Sequence, residues 1–327
     1  MGAQRARALR LNGDTSWLIT LPFRAEDGQE RTFNLVLDPW LDESNQIDMT
    51  FAFSVQTRVI KAVAGSLSEV DALIANSRDD KDDASGSNSG RVDALVLSHP
   101  FTDHAHPQTL TDRSNRTDLR LSGTPDALRS IRGLPGLPFK DVNTIPLASW
   151  DTSPLNEPSS SPLAPGIRIV RLAAVERFAA LRYGPAWSTL HGGLAIVWQT
   201  EAGSSSSPRF GAIVYSPHGI MPASVPPWLN KAEPRILIHS LHRQTLPVWL
   251  AGPVSLGFSN ALDLCRPGSF QPHLLLGTHD EHKVAGGIVS RLLRRQEWAT
   301  QEMERLLKDV SPVKLRVLAA GEETDIQ

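Results

Sequence analysis

The sequence predicts a mixed α/β fold built on two β-sheets, and three observations carry that reading. Apolar runs of strand length come both early and late in the 327 residues, helix signals lie between and after them, and neither a repeat nor a linker separates two cores. A hydrophobic fraction of 40% beside 21% charged residues supplies apolar surface enough for a sizeable interior. The expectation is one domain over 1–327. Surface loops are expected near 78–91 and 152–166, where Ser, Gly, Pro and charge accumulate.

The elements follow in order. Residues 7–22 alternate around Leu9, Leu11, Trp17, Ile19 and Leu21, with Asn12-Gly13-Asp14 as the turn of a hairpin. Thr32 to Leu37 reads as a strand stopped by Asp38-Pro39-Trp40. Ser66 and Glu69 stand at capping-box spacing and open a helix that runs to about Ser77. Val92 to Leu97 is a continuous apolar run of buried-strand length. Thr124-Pro125 caps a helix from Asp126. Five further strands are expected at Ile167–Val175, Gly193–Thr200, Phe210–Tyr215, Arg235–His239 and Pro272–Gly277. A helix of roughly two dozen residues from Val284 would carry Ile288, Leu292, Leu293 and Trp298 on one apolar face. Leu315–Leu318 would close the fold as a strand.

Charge and composition exclude several functions. With 33 basic against 35 acidic residues, a nucleic-acid-binding surface is not expected, and the expected partner is a small molecule. The N-terminal residues lack an apolar signal region and no run of about 18 apolar residues occurs, so a cytoplasmic protein without an integral membrane segment is expected. A single cysteine, Cys265, excludes a disulfide framework and a cysteine-based zinc finger. There is no Gly-x-Ser-x-Gly elbow, Walker A loop or Gly-x-Gly-x-x-Gly fingerprint.

What remains is ten histidines, many of them at strand ends. His99 follows the strand 92–97, with Asp103 and His104 close behind. His191 precedes the strand 193–200, His218 follows 210–215, His239 ends 235–239, and His279 follows 272–277. Rigid strands fix the side chains that flank them, which is why sites gather there. Imidazole nitrogen with aspartate oxygen is the donor set of a borderline divalent cation. The competing reading of the segment 98–106 is a polar loop whose Asp103 caps the next helix. His239 and His242 read as a proton donor or an extra ligand, and at least as well as ordinary strand-end residues. Trp40, Trp187, Trp228 and Trp249 are candidates for the wall of an apolar pocket, with loops 41–65, 152–166 and 219–231 around it.

With these residues in place the chain resembles the metallo-β-lactamase superfamily. His99-Pro-Phe-Thr-Asp103-His104 is similar to the family's His-x-His-x-Asp-His motif, and it follows a strand preceded by Leu37-Asp38-Pro39-Trp40. The Asp-Pro-Trp element resembles the branch of ascorbate-phosphate lactonases and the phospholipase D acting on N-acyl phosphatidylethanolamines. Tyr215-Ser-Pro-His218-Gly-Ile220 and Gly277-Thr-His279-Asp-Glu281 resemble segments of fungal members. The resemblance covers nearly the whole chain. It implies a four-layer αβ/βα sandwich of two mixed sheets flanked by helices. It also implies a metal set of His99, Asp103, His104, His191, His218 and His279. Two departures alter that set. Phe101 stands where the family has its second histidine, and His218 stands where a bridging aspartate is usual. A neutral imidazole does not screen two dications as a carboxylate does. One zinc ion is therefore expected more readily than two, with an empty site as the alternative. The implied activity is hydrolysis of a small ester, lactone or related acyl compound, with Asp103, His104 and His239 as catalytic candidates. A non-hydrolytic biosynthetic step or a metal-free binding role are the rival readings.

Overall fold

The computed structural model describes residues 5–48, 50, 52–77, 90–156, 163–174, 189–200, 209–310 and 312–326. In chain order the strands begin with β1 (Arg7–Arg10), β2 (Trp17–Arg24), β3 (Glu30–Leu37), β4 (Gln46–Asp48), β5 (Ser54–Thr57), β6 (Ala94–Leu97), β7 (Arg120–Gly123), β8 (Val142–Thr144), β9 (Ile167–Leu172) and β10 (Gly193–Gln199). They continue with β11 (Phe210–Ser216), β12 (Arg235–His239), β13 (Arg243–Thr245), β14 (Pro253–Ser255), β15 (Leu274–Gly277), β16 (Val284–Gly286), β17 (Arg294–Gln296), β18 (Lys314–Arg316) and β19 (Glu323–Asp325). The helices are α1 (Leu67–Asn76), α2 (Pro107–Leu110), α3 (Pro125–Ile131), α4 (Gly257–Cys265), α5 (Gly287–Leu292) and α6 (Thr300–Lys308).

One mixed sheet has the order β19-β1-β2-β3-β6-β7-β8, and a second has β18-β15-β12-β11-β10-β9. Their facing sides make the central core. Trp17, Ile19, Leu35 and Val96 of the first sheet meet Leu194, Ile213, Ile236 and Leu276 of the second. The period of two puts the alternate residues outward. Leu95 and Leu97 of β6 pack with α1 and α3 residues Val70, Ile74, Ala127 and Ile131. Val214, Leu237 and Leu275 pack with Phe258, Leu264, Met303 and Leu307 of α4 and α6. Strands buried on both faces are why β6, β11, β12 and β15 read as unbroken apolar runs. The result is the helix–sheet–sheet–helix sandwich expected from the sequence.

Two local features bring later chemistry together. The β1–β2 turn is buried. Asn12 Nδ2 donates to Trp40 O at 2.9 Å, while its Oδ1 accepts from the Asp14 and Ser16 amides at 2.9 and 3.0 Å. This turn holds Asp14 inside the protein. At the end of β3, Asp38 adopts a φ of 43°, and its amide donates to Val96 O of the parallel strand β6. The Asp38 side chain thereby stands beside Ser98 at the end of β6.

The long helix expected from Val284 is absent. That stretch is β16, α5, β17 and α6 in succession. Ala285 and Gly286 pair antiparallel with Gln56 and Val55 of β5. Gly287 has a φ of 83°, and a Cβ there would come within 2.6 Å of Phe53 O. A left-handed residue against another backbone ends a helix before it starts. Of the expected apolar face, Ile288 is 55% exposed, whereas Trp298 reaches the outer core beside Phe258. The chain from 78 to 89 and from 157 to 162, where most of the two surface loops were expected, lies outside the described residues, as does Val175. Among the described residues no helix is long and apolar enough to cross a membrane.

Candidate metal centre

The carboxyl ends of β6, β11 and β15 deliver His104, His218 and His279 to one buried point. Ring centroids lie 5.0 Å apart for His104–His218, 4.7 Å for His218–His279 and 5.4 Å for His104–His279. Each ring is anchored by its Nδ1. The His104 Nδ1–H donates to Asp38 Oδ2 at 2.7 Å, the His218 Nδ1–H to Val254 O at 3.1 Å, and the His279 Nδ1–H to Asp14 Oδ1 at 3.0 Å. Fixing Nδ1 as donor leaves Nε2 as the free ligating atom on every ring. The loop after β6 adds Asp103, whose Oδ1 is buried without a hydrogen-bond partner and lies 3.6 Å from His104 Nε2. His279 Nε2 is 3.8 Å from Asp103 Oδ2.

The His104 and His218 Nε2 atoms face one another at 3.0 Å. With both Nδ1 positions protonated, two lone pairs would meet at that distance. A proton on one of them makes the contact a hydrogen bond, and the same two lone pairs are those available to a metal ion. Without a metal, the proton belongs on His104. Burial opposes charge there, but the Asp103 and Asp38 carboxylates outweigh it and hold the His104 pKa above its ordinary value. His218 is pushed well below its ordinary value, first by burial and then by His279 and His99. The ligand atoms fall into two overlapping trios that share His104, one with His99 and His218 and one with Asp103 and His279, and imidazole nitrogen with carboxylate oxygen suits a first-row divalent ion.

The structure also shows what supports the donors. Asp38 accepts from His104, from the Ser98 amide at 2.7 Å, from Ser98 Oγ and from Tyr215 OH at 2.7 Å. Asp14 binds His279 through Oδ1 and Lys283 Nζ through Oδ2 at 2.7 Å. Burial disfavours the Asp14 charge, yet Lys283 and His279 hold it well below the usual carboxylate range. Lys283 Nζ is also 3.3 Å from Asp103 Oδ2, and that contact together with His104 keeps Asp103 ionised at lower pH despite its burial.

The remaining candidates are placed differently. His99 lies with its ring 5.0 Å from His104 and 4.9 Å from His218, and the three could share an ion. Its Nε2–H, however, donates to Leu190 O at 3.1 Å, and burial with the neighbouring His104 pushes its pKa down to about 3. His191 is buried but is not among the ligand atoms that converge within 4.8 Å of one another among the described residues. His239, expected as a proton donor, is fully buried with Nδ1 2.6 Å from Ser240 O and Nε2 2.9 Å from Asn260 Oδ1. It does not line the cavity described below, and its contacts fix the loop after β12 instead. Asp103 caps no helix. The cap of α2 is His106, whose side chain accepts from the Thr109 amide while its ring stacks on Trp40 at 5.6 Å.

Asp103, His218 and His279 open onto a cavity of about 220 Å³. Its walls are largely apolar, with Phe53, Phe101, Leu190, Leu246, Leu250 and Val289 among them. Phe53 comes from the β4–β5 segment, Leu246 and Leu250 from β13–β14, Val289 from α5, Phe101 from the loop after β6 and Leu190 from the segment before β10, so among the described residues only 41–65 of the three expected loops contributes. Among the described residues no candidate tryptophan lines it. Trp40 and Trp228 are buried, Trp249 is 62% exposed, and Trp187 lies outside the described residues. Asp14, Asp38 and Lys283 were absent from the sequence-derived set. Asp38 sits in the Asp-Pro-Trp element and was the findable one; Asp14 read as a turn residue, and Lys283 fell beside the expected helix.

Solved structures show the same architecture. The chain is similar to the metallo-β-lactamase fold protein YhfI from Bacillus subtilis, at 13% identity and a TM-score of 0.50, over 98% of this chain and 100% of that one. It is similar to an isothiocyanate hydrolase from Delia radicum gut bacteria, at 13% identity and a TM-score of 0.53, over 98% and 100%. It is also similar to a long form RNase Z from yeast, at 10% identity and a TM-score of 0.52, over all of this chain and 43% of that one. The fold is thus the metallo-β-lactamase fold. No family model matches the chain, and no curated protein matches it.

Proposed function

We propose that this protein is a metal-dependent hydrolase of a small ester, lactone or related acyl compound, with one divalent ion, zinc by its donor set, held by Asp103, His104, His218 and His279. The observation that carries the reading is that Asp103, with an unpartnered Oδ1, and the Nδ1-anchored imidazoles of His104 and His279 bring ligand atoms within 4.8 Å of one another, with His218 Nε2 3.0 Å from His104 Nε2, beside a cavity with apolar walls. A divalent ion there supplies Lewis-acid polarisation of an acyl carbonyl and activation of water. The chain's own groups do the rest. Phe101, Leu190 and Leu246 seat the apolar part of the acyl compound and exclude bulk water from it. Asp38 and Asp14 hold His104 and His279 in the tautomer that presents Nε2. Lys283 Nζ, 3.3 Å from Asp103 Oδ2, holds that carboxylate so that Oδ1 faces His104.

A small molecule suits a cavity of about 220 Å³ whose border mixes the carboxyls of Asp48, Asp103 and Glu281 with Lys283 and Arg295. RNase Z shares the fold, but a fold is not a substrate. The placement near the lactonase-like branch rests on the Asp-Pro-Trp and histidine segments alone.

Metal analysis of the purified protein tests the reading. About one equivalent of zinc, retained or restored by supplementation, is expected, together with loss of hydrolysis of a panel of aryl esters and lactones in His104→Ala and His279→Ala. Less than about 0.2 equivalents of any transition metal after supplementation would overturn it.

A further inference from the structure

The converging donors form two overlapping groups, His99/His104/His218 and Asp103/His104/His279, each with its atoms within 4.8 Å. By ligand count alone the centre could take two ions. The second group, however, already has a cation beside it. Lys283 Nζ lies 2.7 Å from Asp14 Oδ2, 3.3 Å from Asp103 Oδ2 and 3.2 Å from Gln46 Oε1. The face of Trp40 covers it at 5.1 Å, and the side chain is only 6% exposed. An ammonium is seldom buried this deeply without full compensation. Here two carboxylates, an amide oxygen and a ring face compensate it, which is the kind of oxygen-rich cage that a hard cation would also accept.

Charge argues in the same direction. Asp14, Asp38 and Asp103 bring three carboxylates to the centre, and Lys283 offsets one of them. One dication on neutral imidazoles then leaves the cluster balanced. A second would leave it strongly positive in a low-dielectric interior, a few ångströms from the ammonium.

We infer that Lys283 is the centre's built-in second cation: its ammonium occupies the Asp14–Asp103–Gln46 cage and limits the site to a single metal ion. This rests on the metal-centre reading above and adds to it a residue that sets metal stoichiometry. Removing the ammonium while keeping the length of the side chain, as in Lys283→Met, frees three oxygen donors for another divalent ion. Lys283→Arg keeps the charge and serves as the control.

The test is equilibrium dialysis of the intact protein against excess zinc and, separately, manganese, followed by elemental analysis per chain. The expected result is about one equivalent for wild type and for Lys283→Arg, and about two for Lys283→Met. Wild type taking about two equivalents overturns the assignment, as does a folded Lys283→Met that still takes one. Should Lys283→Met fail to fold, Lys283→Gln takes its place in the same measurement, with about two equivalents expected and one overturning the assignment. Wild type that binds no metal at all overturns the metal-centre reading itself, and the role of Lys283 with it. That outcome is distinct from one ion in both wild type and Lys283→Met, which sinks only the latter.

Discussion

Asp38→Asn separates the support of the metal centre from its donors. The wild-type carboxylate receives four donors: His104 Nδ1–H, the Ser98 amide, Ser98 Oγ–H and Tyr215 OH. The residue sits at φ 43°, which Asn tolerates almost as well as Asp, so the backbone is not the variable. An amide has one oxygen where the carboxylate had two, and its NH₂ must face a donor. At least one buried donor then goes unsatisfied, at about 1–3 kcal/mol, and the charge-assisted bonds that remain weaken. The metal-free protein should lose about 2–5 kcal/mol of stability, read from urea unfolding. His104 loses the partner that fixes Nδ1 as the donor, so zinc affinity measured by chelator competition should fall about 10- to 100-fold. A folded Asp38→Asn protein whose zinc affinity stays within about twofold of wild type would refute the claim that Asp38 sets the ligating tautomer.

Two further outcomes follow from buried groups outside the donor set. Burial pushes the His106 pKa down to about 4, against about 6.5 unfolded. The folded value is depressed, so this contribution to stability is present above pH 6.5 and is lost as pH falls toward 4. Between pH 6.5 and 4.5 the loss should be about 2 kcal/mol. His106→Asn keeps a helix-capping oxygen and removes the titration; equal pH dependence in wild type and variant would contradict the reading. The Cys265 thiol is buried and pushed up to about 12, so thiol reagents at about pH 8 should label the native protein slowly and the denatured protein fully. Rapid stoichiometric labelling of native protein would be the contrary result.

The parts of the fold legible in the sequence were those whose burial is two-sided. The strands β6, β10, β11, β12 and β15 give continuous apolar runs because both of their faces are covered. The caps of α1 and α3 were legible because a side chain does the capping: Ser66 accepts from the Glu69 amide and Thr124 from the Ala127 amide. The three-residue strands β4, β13, β14, β16 and β17 carry too few residues for any period to register. The helix expected from Val284 failed for a related reason. Ile288, Leu292 and Leu293 share helical spacing, but β5 and β13 recruit the backbone on either side of α5, and Gly287 sits where only a glycine avoids Phe53.

The centre divides along a different line. Histidines at strand ends stand out because a rigid element next to them in sequence places them, and His218 and His279 follow β11 and β15 closely while His104 sits in the loop after β6. The groups that give those ligands their tautomers and balance their charge obey no such rule. Asp14 and His279 are 265 residues apart, Asp38 and His104 are 66 apart, and Lys283 and Asp103 are 180 apart. Each pair exists only because β1, β3, β6 and β15 end at the same edge of two facing sheets. A carboxylate in a turn, such as Asp14, looks like any other turn residue until the fold buries it. Once buried it must find a cation, and the topology offers Lys283 and His279. The electrostatics of the site is therefore a property of the sandwich, whereas its ligands are a property of the strands. That is why the strand-end histidines stand out in the sequence while the carboxylates of Asp14 and Asp38 and the ammonium of Lys283 do not.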